Sequence, residues 1–177
     1  MIELLDLEKA HAFLMKAVRS RDTETTKGED YKHYGPHHPD WDEHLEREVP
    51  PGCYNFFGHI KGADGERVLQ PGCLIGTAFY EAGVMLEWME QHNMENSYAH
   101  EVMSSLVDRG MAAGCTTRGS DFLSECQSLQ DAGKSWGEAI AIILKRFKRD
   151  EEYLARELPS HVWGTEAEVA WIREYQV

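Results

Sequence analysis

The sequence predicts a mainly α-helical (α+β) fold, a single-domain bundle of five to seven helices with one β-hairpin, over residues 1–177. Apolar residues recur at three- and four-residue spacing in several segments, which is the periodicity of amphipathic helices. Ser/Thr and Glu residues spaced as capping boxes open two of these segments. One aromatic stretch runs into an Asp-Gly turn, a pattern typical of hairpins. With 42% hydrophobic residues, the chain is long enough to bury a core.

The first half of the chain predicts a helix, a polar segment and a hairpin. The helix covers residues 7–19, where the apolar side chains share one face and Asp6 stands at the N-cap position. Residues 22–48 form a polar excursion with nine acidic and three basic residues, a balance of −6. The hairpin lies near residues 53–69, with its turn at Asp64-Gly65. Because an isolated hairpin is marginally stable, we expect it to pack on helices.

A helix that contains several glycines is predicted after the hairpin. Pro71 suits its first turn, and Gly83 interrupts or ends it. Gly72 and Gly76 stand four residues apart and therefore on one helical face. Because neither has a Cβ atom, another backbone can approach that face closely.

Helices are also predicted in the second half of the chain, near 97–109, between Ser120 and Gly133, between Ser135 and Pro159, and after Thr165. Ser135 with Glu138, and Thr165 with Glu168, have the spacing of capping boxes, in which each side chain bonds the other residue's backbone amide. The turn and cap residues therefore agree with the apolar periodicity.

The charge and hydropathy of the chain exclude several classes of function. Acidic residues outnumber basic ones by 31 to 18, a formal charge of −13, which repels phosphate backbones and argues against nucleic acid as a partner. Such a charge also permits imitation of DNA by a protein that binds basic surfaces. The apolar runs, such as residues 139–147, are too short and too charged to span a membrane. The acidic N-terminus does not resemble a secretory signal, so a cytoplasmic location is expected.

The stretch HYGPHHPDWDEH, residues 33–44, is the first candidate site. Its four histidines are His33, His37, His38 and His44. With Asp40 and Asp42 they offer the nitrogen and oxygen ligands that a divalent metal such as zinc accepts. Pro36 and Pro39 prevent a regular helix, so the ligand spacing cannot be interpreted as one helical face. A solvated loop and a surface that titrates with its histidines remain alternatives.

The same region is the first candidate for a protein-binding surface. Aromatic side chains stand beside charged ones there, a combination found at protein interfaces. The residues of this predicted surface are Tyr31, His33, Tyr34, His37, His38, Asp40, Trp41, Asp42 and His44. We expect a binding site here and no resident cofactor, unless the histidines hold a metal.

Cys73 is a candidate reactive thiol. At the start of a helix it would feel the positive end of the helix dipole, and His59 on the preceding strand could act as its base. Cys53, His59 and Cys73 could instead share a metal, although no fourth ligand is evident. A buried core cysteine is the third alternative. None of the four cysteines forms a CxxC pair, and without a secretory signal they are expected to be reduced.

Residues 121–149 resemble a helix-turn-helix in outline. The basic residues of KRFKR stand at the far end of the second helix, whereas base contacts are made by the first turn of a recognition helix. A packed helical hairpin is therefore the preferred interpretation.

Two segments carry a resemblance to a known group of proteins. GADGERVLQPGCLIGTAFYEAGV, residues 62–84, and FLSECQSLQDAGKSWGEAI, residues 122–140, resemble small uncharacterised proteins of actinobacteria and their bacteriophages. The likeness spans residues 53–149 and brings no activity or catalytic residue with it. It implies a phage or actinobacterial origin and binding to a host protein.

Taken with the composition, the sequence predicts a non-enzymatic acidic interaction protein, phage-encoded, that modulates a host protein in the host cytoplasm. One alternative is a metal-dependent or cysteine-nucleophile enzyme. A second alternative is an inhibitor that imitates DNA. The sequence has no P-loop, GxGxxG, GxSxG or HExxH motif that would favour a particular enzyme class.

Overall fold

A computed structural model describes residues 1–22, 27–30, 54–61, 66–157 and 165–175, with backbone alone at 57–61, 66–67 and 152–157. These residues form seven α-helices and one two-stranded sheet, so the fold is mainly α-helical, as predicted. The helices are α1 (Leu7–Ser20), α2 (Leu74–Glu81), α3 (Leu86–Gln91), α4 (Ala99–Asp108), α5 (Thr117–Asp131), α6 (Trp136–Glu157) and α7 (Glu166–Glu174). The strands are β1 (Phe56–Lys61) and β2 (Glu66–Pro71), and a short 3-10 helix spans Gly28–Asp30.

Helix α1 confirms the first prediction almost to the residue. The Asp6 carboxylate accepts a hydrogen bond from the Lys9 amide at 2.9 Å, which is the N-cap expected from the sequence. The buried face consists of Leu7, Ala10, Leu14, Ala17 and Val18. It packs against α2 and α5, and the Lys16 ammonium donates to the Glu81 carbonyl at the C-terminus of α2.

The hairpin is confirmed, two to three residues later than predicted. Its strands are antiparallel, with Phe56 opposite Pro71 and Lys61 opposite Glu66. Pro71 is thus the last residue of β2, and the prediction that it lies in a helical turn was wrong. Helix α2 begins at Leu74, because the N-cap is Cys73. The fixed φ of proline suits a strand end as well as a first helical turn, so proline alone could not separate the two.

Two helical glycines let neighbouring backbones touch the helices. A Cβ atom on Gly76 in α2 would lie 1.7 Å from the Asn55 carbonyl oxygen, and one on Gly119 in α5 would lie 2.2 Å from the Leu5 carbonyl oxygen. Close approach at Gly76 was predicted, but the expectation that Gly72 shares its helical face was wrong, because Gly72 precedes the N-cap Cys73. These contacts hold the N-terminal segment and the start of the hairpin against the core.

The first residues of the chain pair with the segment between α4 and α5, which the sequence analysis did not predict. Ile2 and Ala112 form a parallel bridge, as do Leu5 and Cys115. The Ile2 amide donates to the Met111 carbonyl at 2.8 Å. The extended N-terminus therefore leads directly into α1 beside the N-terminus of α5.

Three helices have their first backbone amide capped by a buried side chain from a distant part of the chain. Gln130 on α5 accepts from the Leu74 amide of α2 at 2.5 Å, and Gln127 accepts from the Ala99 amide of α4 at 2.8 Å. Glu168 on α7 accepts from the Leu7 amide of α1 at 3.0 Å. Each bond satisfies an amide donor that has no partner within its own helix. It also gives the buried side-chain oxygen that accepts it a hydrogen-bond partner.

Part of the polar excursion packs on the bundle. Gly28 is buried, and a Cβ atom there would lie 1.8 Å from the Val18 carbonyl oxygen. Its amide donates to the Asp22 carboxylate at 2.8 Å. Gly28, which belongs to the predicted excursion at residues 22–48, therefore packs against α1, because a glycine can fit where any side chain would collide. Residues 31–48 lie outside the described part of the chain.

In the described ranges, no helix combines the length and the apolar character that crossing a membrane requires.

Candidate functional site

The chain leaves the described structure at Asp30, within the polar excursion, and returns at Tyr54. On the leading side, the 3-10 helix packs against α6, where a Cβ atom on Gly137 would lie 2.8 Å from the Glu29 Cβ atom. With the bond between Gly28 and Asp22, this contact fixes the direction of the chain as it departs. We call residues 22 and 27–30 the leading anchor.

Asn55, which directly follows the return of the chain at Tyr54, is called the trailing anchor. Its side chain is buried, and its Nδ2 atom donates to the carbonyls of Met94 and Ser97, both at 2.8 Å. Its backbone amide donates to the Glu95 carbonyl at 2.7 Å, and its carbonyl accepts from Gly72 at 3.0 Å. Backbone and side chain of one residue thus tie the returning chain to the loop between α3 and α4.

Arg21 connects the two anchors. It directly precedes Asp22, and its Nη2 atom donates to the Pro71 carbonyl at 3.0 Å and to the Thr77 hydroxyl at 3.3 Å. Its guanidinium carbon lies 5.9 Å from the centre of the Trp136 ring, a cation-π geometry. Because Pro71 pairs with Phe56, the residue after the trailing anchor, both anchors are fixed to one region.

The residues predicted to bind a partner or a metal lie between these anchors and outside the described ranges. They are Tyr31, His33, Tyr34, His37, His38, Asp40, Trp41, Asp42 and His44. Their grouping and the metal site both stay predictions. Among the residues that are described, no group of three His, Cys, Asp or Glu side chains is arranged to hold a metal ion.

Cys73 is buried at the N-cap of α2. Its Sγ–H donates to the Asn55 Oδ1 atom at 3.3 Å, and its Sγ accepts from the Gly76 amide at 3.3 Å. The thiol therefore joins α2 to the trailing anchor. The backbone of His59 pairs with Val68 in the hairpin, and the placement of its side chain is outside the described structure, as is Cys53. A reactive role for the pair of Cys73 and His59 stays a prediction.

We expect native Cys73 to resist alkylation, because the structure buries it and hydrogen-bonds it on both sides. Its reaction with iodoacetamide should be at least about 100-fold slower than that of free cysteine, since it requires local opening. Peptide mass spectrometry after timed labelling measures the rate. Labelling at the rate of free cysteine would support the reactive-thiol alternative.

Cys115 and Cys126 provide internal comparisons for that experiment. Burial raises the pKa of the half-buried Cys115 thiol to about 11. Burial, with a further contribution from Glu125, raises the pKa of Cys126 well above its ordinary value. Both thiols should therefore also label slowly at neutral pH, and all three should label at similar rates in urea.

Three of the four basic residues of KRFKR, on α6, have partners within the chain. Arg146 donates to the Glu125 carboxylate of α5. Lys148 donates to the Tyr175 carbonyl at 2.6 Å, and Arg149 pairs with Asp150 at 3.0 Å. These contacts agree with the packed helical hairpin preferred from the sequence.

A polar cluster surrounds Glu168 of α7, which is 2% exposed. Its Oε1 atom accepts from the Leu7 amide at 3.0 Å and from the Thr116 hydroxyl at 2.5 Å. Its Oε2 atom accepts from the Thr165 amide at 2.9 Å and from the Thr165 hydroxyl at 3.0 Å. One carboxylate thus joins the N-termini of α1, α5 and α7.

Two opposing effects set the pKa of Glu168. Burial raises it, while the hydrogen bonds from Thr116, Thr165 and Leu7 lower it, and the net pKa lies below its ordinary value. The capping-box spacing predicted the bond to Thr165 but gave no sign of Leu7 or Thr116. Those contacts span more than fifty residues of sequence and follow no local pattern.

Comparisons with protein-family models, with curated proteins and with solved structures found no match to this chain.

Proposed function

We propose that this chain is a non-enzymatic acidic interaction protein that modulates a host protein by binding it through residues 31–44. The observation that carries the proposal is the anchoring of the chain on both sides of residues 31–53. Gly28 and Glu29 pack on α1 and α6, and the Asn55 side chain donates to the carbonyls of Met94 and Ser97. Fixed ends restrict the space that a segment can explore, which lowers the entropy that binding must overcome.

Charge supports the same proposal and indicates the kind of partner. The excursion holds −6 of the net charge of −13 within 27 residues. A basic protein surface would be attracted to it, and the attraction would weaken with salt. The aromatic residues Tyr31, Tyr34 and Trp41 would supply apolar contact area beside the charges. The resemblance to proteins of actinobacteria and their phages suggests a phage-encoded protein that acts in the host cytoplasm.

The test replaces residues 31–44 with a Gly/Ser linker of equal length. We expect circular dichroism and the midpoint of thermal unfolding to change little, because the anchors are untouched. We expect a partner captured from an actinobacterial lysate by the native chain, and then purified, to lose affinity for the variant at least about 100-fold. Binding is measured by calorimetry at two salt concentrations. Equal affinity for both chains would place the surface elsewhere.

A charge-matched control distinguishes binding through residues 31–44 from a general effect of the net charge of the chain. Residues 31–44 contain three acidic side chains and Lys32, a balance of −2, and Glu87 and Asp108 are two exposed acids on helices. The double variant Glu87→Gln and Asp108→Asn should bind almost as well as the native chain. A loss equal to that of the linker variant would instead show that net charge alone drives association.

The same experiments distinguish the two other functions. If duplex DNA competes with the chain for the partner, imitation of DNA is favoured over a specific protein surface. A metal-dependent enzyme requires stoichiometric metal in protein purified without a tag, which elemental analysis measures. The cysteine alternative depends on the alkylation rate of Cys73.

A further inference from the structure

Helix α7 contacts the bundle through side chains that titrate. Besides Glu168, the Arg173 Nη2 atom lies 2.8 Å from the carboxylate of Glu151, and the Tyr175 hydroxyl lies 3.1 Å from the His11 Nε2 atom. We propose that α7, with the Tyr175 residue that ends it, is a pH-gated latch that detaches in acid while α1–α6 stay folded. This inference is independent of the proposed binding surface.

The Glu168 contact requires an ionised carboxylate. Its two oxygens face only hydrogen-bond donors in the bonds described above, namely two amides and two hydroxyls, and the Arg118 guanidinium adds positive charge from α5. If the carboxyl group were protonated, its own O–H hydrogen would point at one of those donors, and the hydrogen bond from that donor would be lost. Because the pKa lies below the ordinary 4.5, this stabilisation is present above that value and is lost as the pH falls through the pKa of the folded state.

The ion pair with Glu151 also depends on charge. The Glu151 side chain is fully buried, and the described cations that face it are Arg173 and, at 4.0 Å, Arg118. Arg118 in turn interacts with Asp121, Asp150 and Glu168. The ion pair between Arg173 and Glu151 is thus the second polar attachment of α7, and it joins α7 to α6.

His11 forms the third attachment. Its ring packs against Tyr175, Trp171 and Phe122, with centroids 5.0, 5.4 and 6.3 Å away. Burial lowers the pKa of His11, and the charge of Arg19 lowers it further. The folded state therefore favours the neutral ring. The contribution of His11 to the attachment of α7 declines as the pH falls below the ordinary histidine pKa of 6.5.

Tyr175 sets the alkaline limit of the latch. Burial raises its pKa, and the charge of Glu29 raises it further, so the bond to His11 weakens only above the ordinary value of 10. Lys148 holds the Tyr175 carbonyl at 2.6 Å. Helix α7 is thus held most tightly at pH values between the ordinary pKa values of histidine and tyrosine.

Helix α7 can leave without unfolding the rest because it supplies little of the core. Of the buried apolar residues in the described ranges, α7 contributes Val169 and Ile172, whereas α1 to α6 contribute most of the others. It has nine residues, and a helix of that length is unstable alone. Loss of docking should therefore melt α7 as a local unit.

Fluorine NMR of the full chain labelled with 5-fluorotryptophan tests the proposal. Trp171 on α7 reports on the latch, and fully buried Trp136 reports on the bundle. Substitutions Trp171→Phe and Trp136→Phe assign the two resonances. On acidification, we expect the Trp171 resonance to reach its solvent-exposed position at least about one pH unit before the Trp136 resonance changes. Coincident transitions would overturn the proposal.

Variants connect the transition to the named groups. Substitution His11→Phe keeps an aromatic ring and should abolish the part of the Trp171 change that begins as the pH falls below the ordinary histidine pKa of 6.5. Substitution Glu166→Gln, at an exposed position in the same helix, should leave the midpoint unchanged. If His11→Phe leaves the Trp171 titration unchanged, or Glu166→Gln shifts it as strongly, the assigned attachments are wrong.

Discussion

Substitution Gly76→Ala is expected to destabilise the protein by at least about 3 kcal/mol, or to prevent folding. The added Cβ atom would lie 1.7 Å from the Asn55 carbonyl oxygen and 2.4 Å from its carbonyl carbon. These are backbone atoms of the trailing anchor, so they cannot move aside as the end of a flexible side chain can. Urea unfolding, followed by circular dichroism, measures the change.

Helix propensity alone gives the opposite expectation for this substitution. Alanine in a helix interior is favoured over glycine by about 1 kcal/mol, so a helix with open space around Gly76 would become more stable. The sign of the measured effect therefore separates the close contact from intrinsic propensity. A stabilised variant would contradict the packing of Asn55 on α2.

Gly83, just after α2, offers a control glycine. It has a φ angle of +87° and no atom within 4 Å of an added Cβ atom. Asparagine tolerates that backbone conformation better than other side chains, so Gly83→Asn should cost less than about 1 kcal/mol. A large effect at Gly83 as well would indicate that glycine replacement near α2 is harmful for some other reason.

Local signals in the sequence predicted most of the helices and three of their N-terminal caps, but they placed the start of α5 at Ser120, whereas its N-cap is Thr116. The Asp6 cap and the two capping boxes at Ser135 and Thr165 rely on contacts three residues apart, which spacing reveals directly. The spacing of Gly76 with Gly72 likewise predicted the close approach of another backbone, because the sequence shows directly which residues have no Cβ atom. Which backbone would fill the space could not be inferred from the helix alone.

Contacts between distant segments left no local signal. The pairing of Ile2 with Ala112 depends on two short extended pieces, neither of which alternates as a long strand does. Gln127 and Gln130 look like ordinary polar positions in α5, yet they cap two other helices. The candidate surface at residues 31–44 was proposed from composition and stays a prediction.

Glu168 provides the second large effect. Substitution Glu168→Gln should destabilise the protein by about 3 kcal/mol at neutral pH, because the glutamine NH₂ group cannot accept a hydrogen bond. It would face either the donors Leu7 and Thr116 or the donor Thr165, and would leave buried donors unmet. The loss cannot exceed the free energy with which α7 docks. Urea unfolding at neutral pH measures this loss of stability.

Glu101 is a matched control, because it occupies the same position in its helix. Its carboxylate accepts from the Tyr98 amide at 2.8 Å, but the contact is exposed to water. Water can replace this bond, so Glu101→Gln should cost less than about 1 kcal/mol. Comparable losses at the two positions would show that burial and the long-range bonds of Glu168 add nothing to the capping interaction.

The difference in the free energy of unfolding between the native protein and the Glu168→Gln variant should shrink as the pH falls. The folded state lowers the pKa of Glu168, so in acid the unfolded chain takes up its proton first, and the native protein loses stability. Glutamine has no such proton to take up. The destabilisation should therefore be full above the ordinary pKa of 4.5 and should shrink as the pH falls through the pKa of the folded state. If the difference stays constant from neutral to strongly acidic pH, the carboxylate charge does not stabilise this junction of three helices.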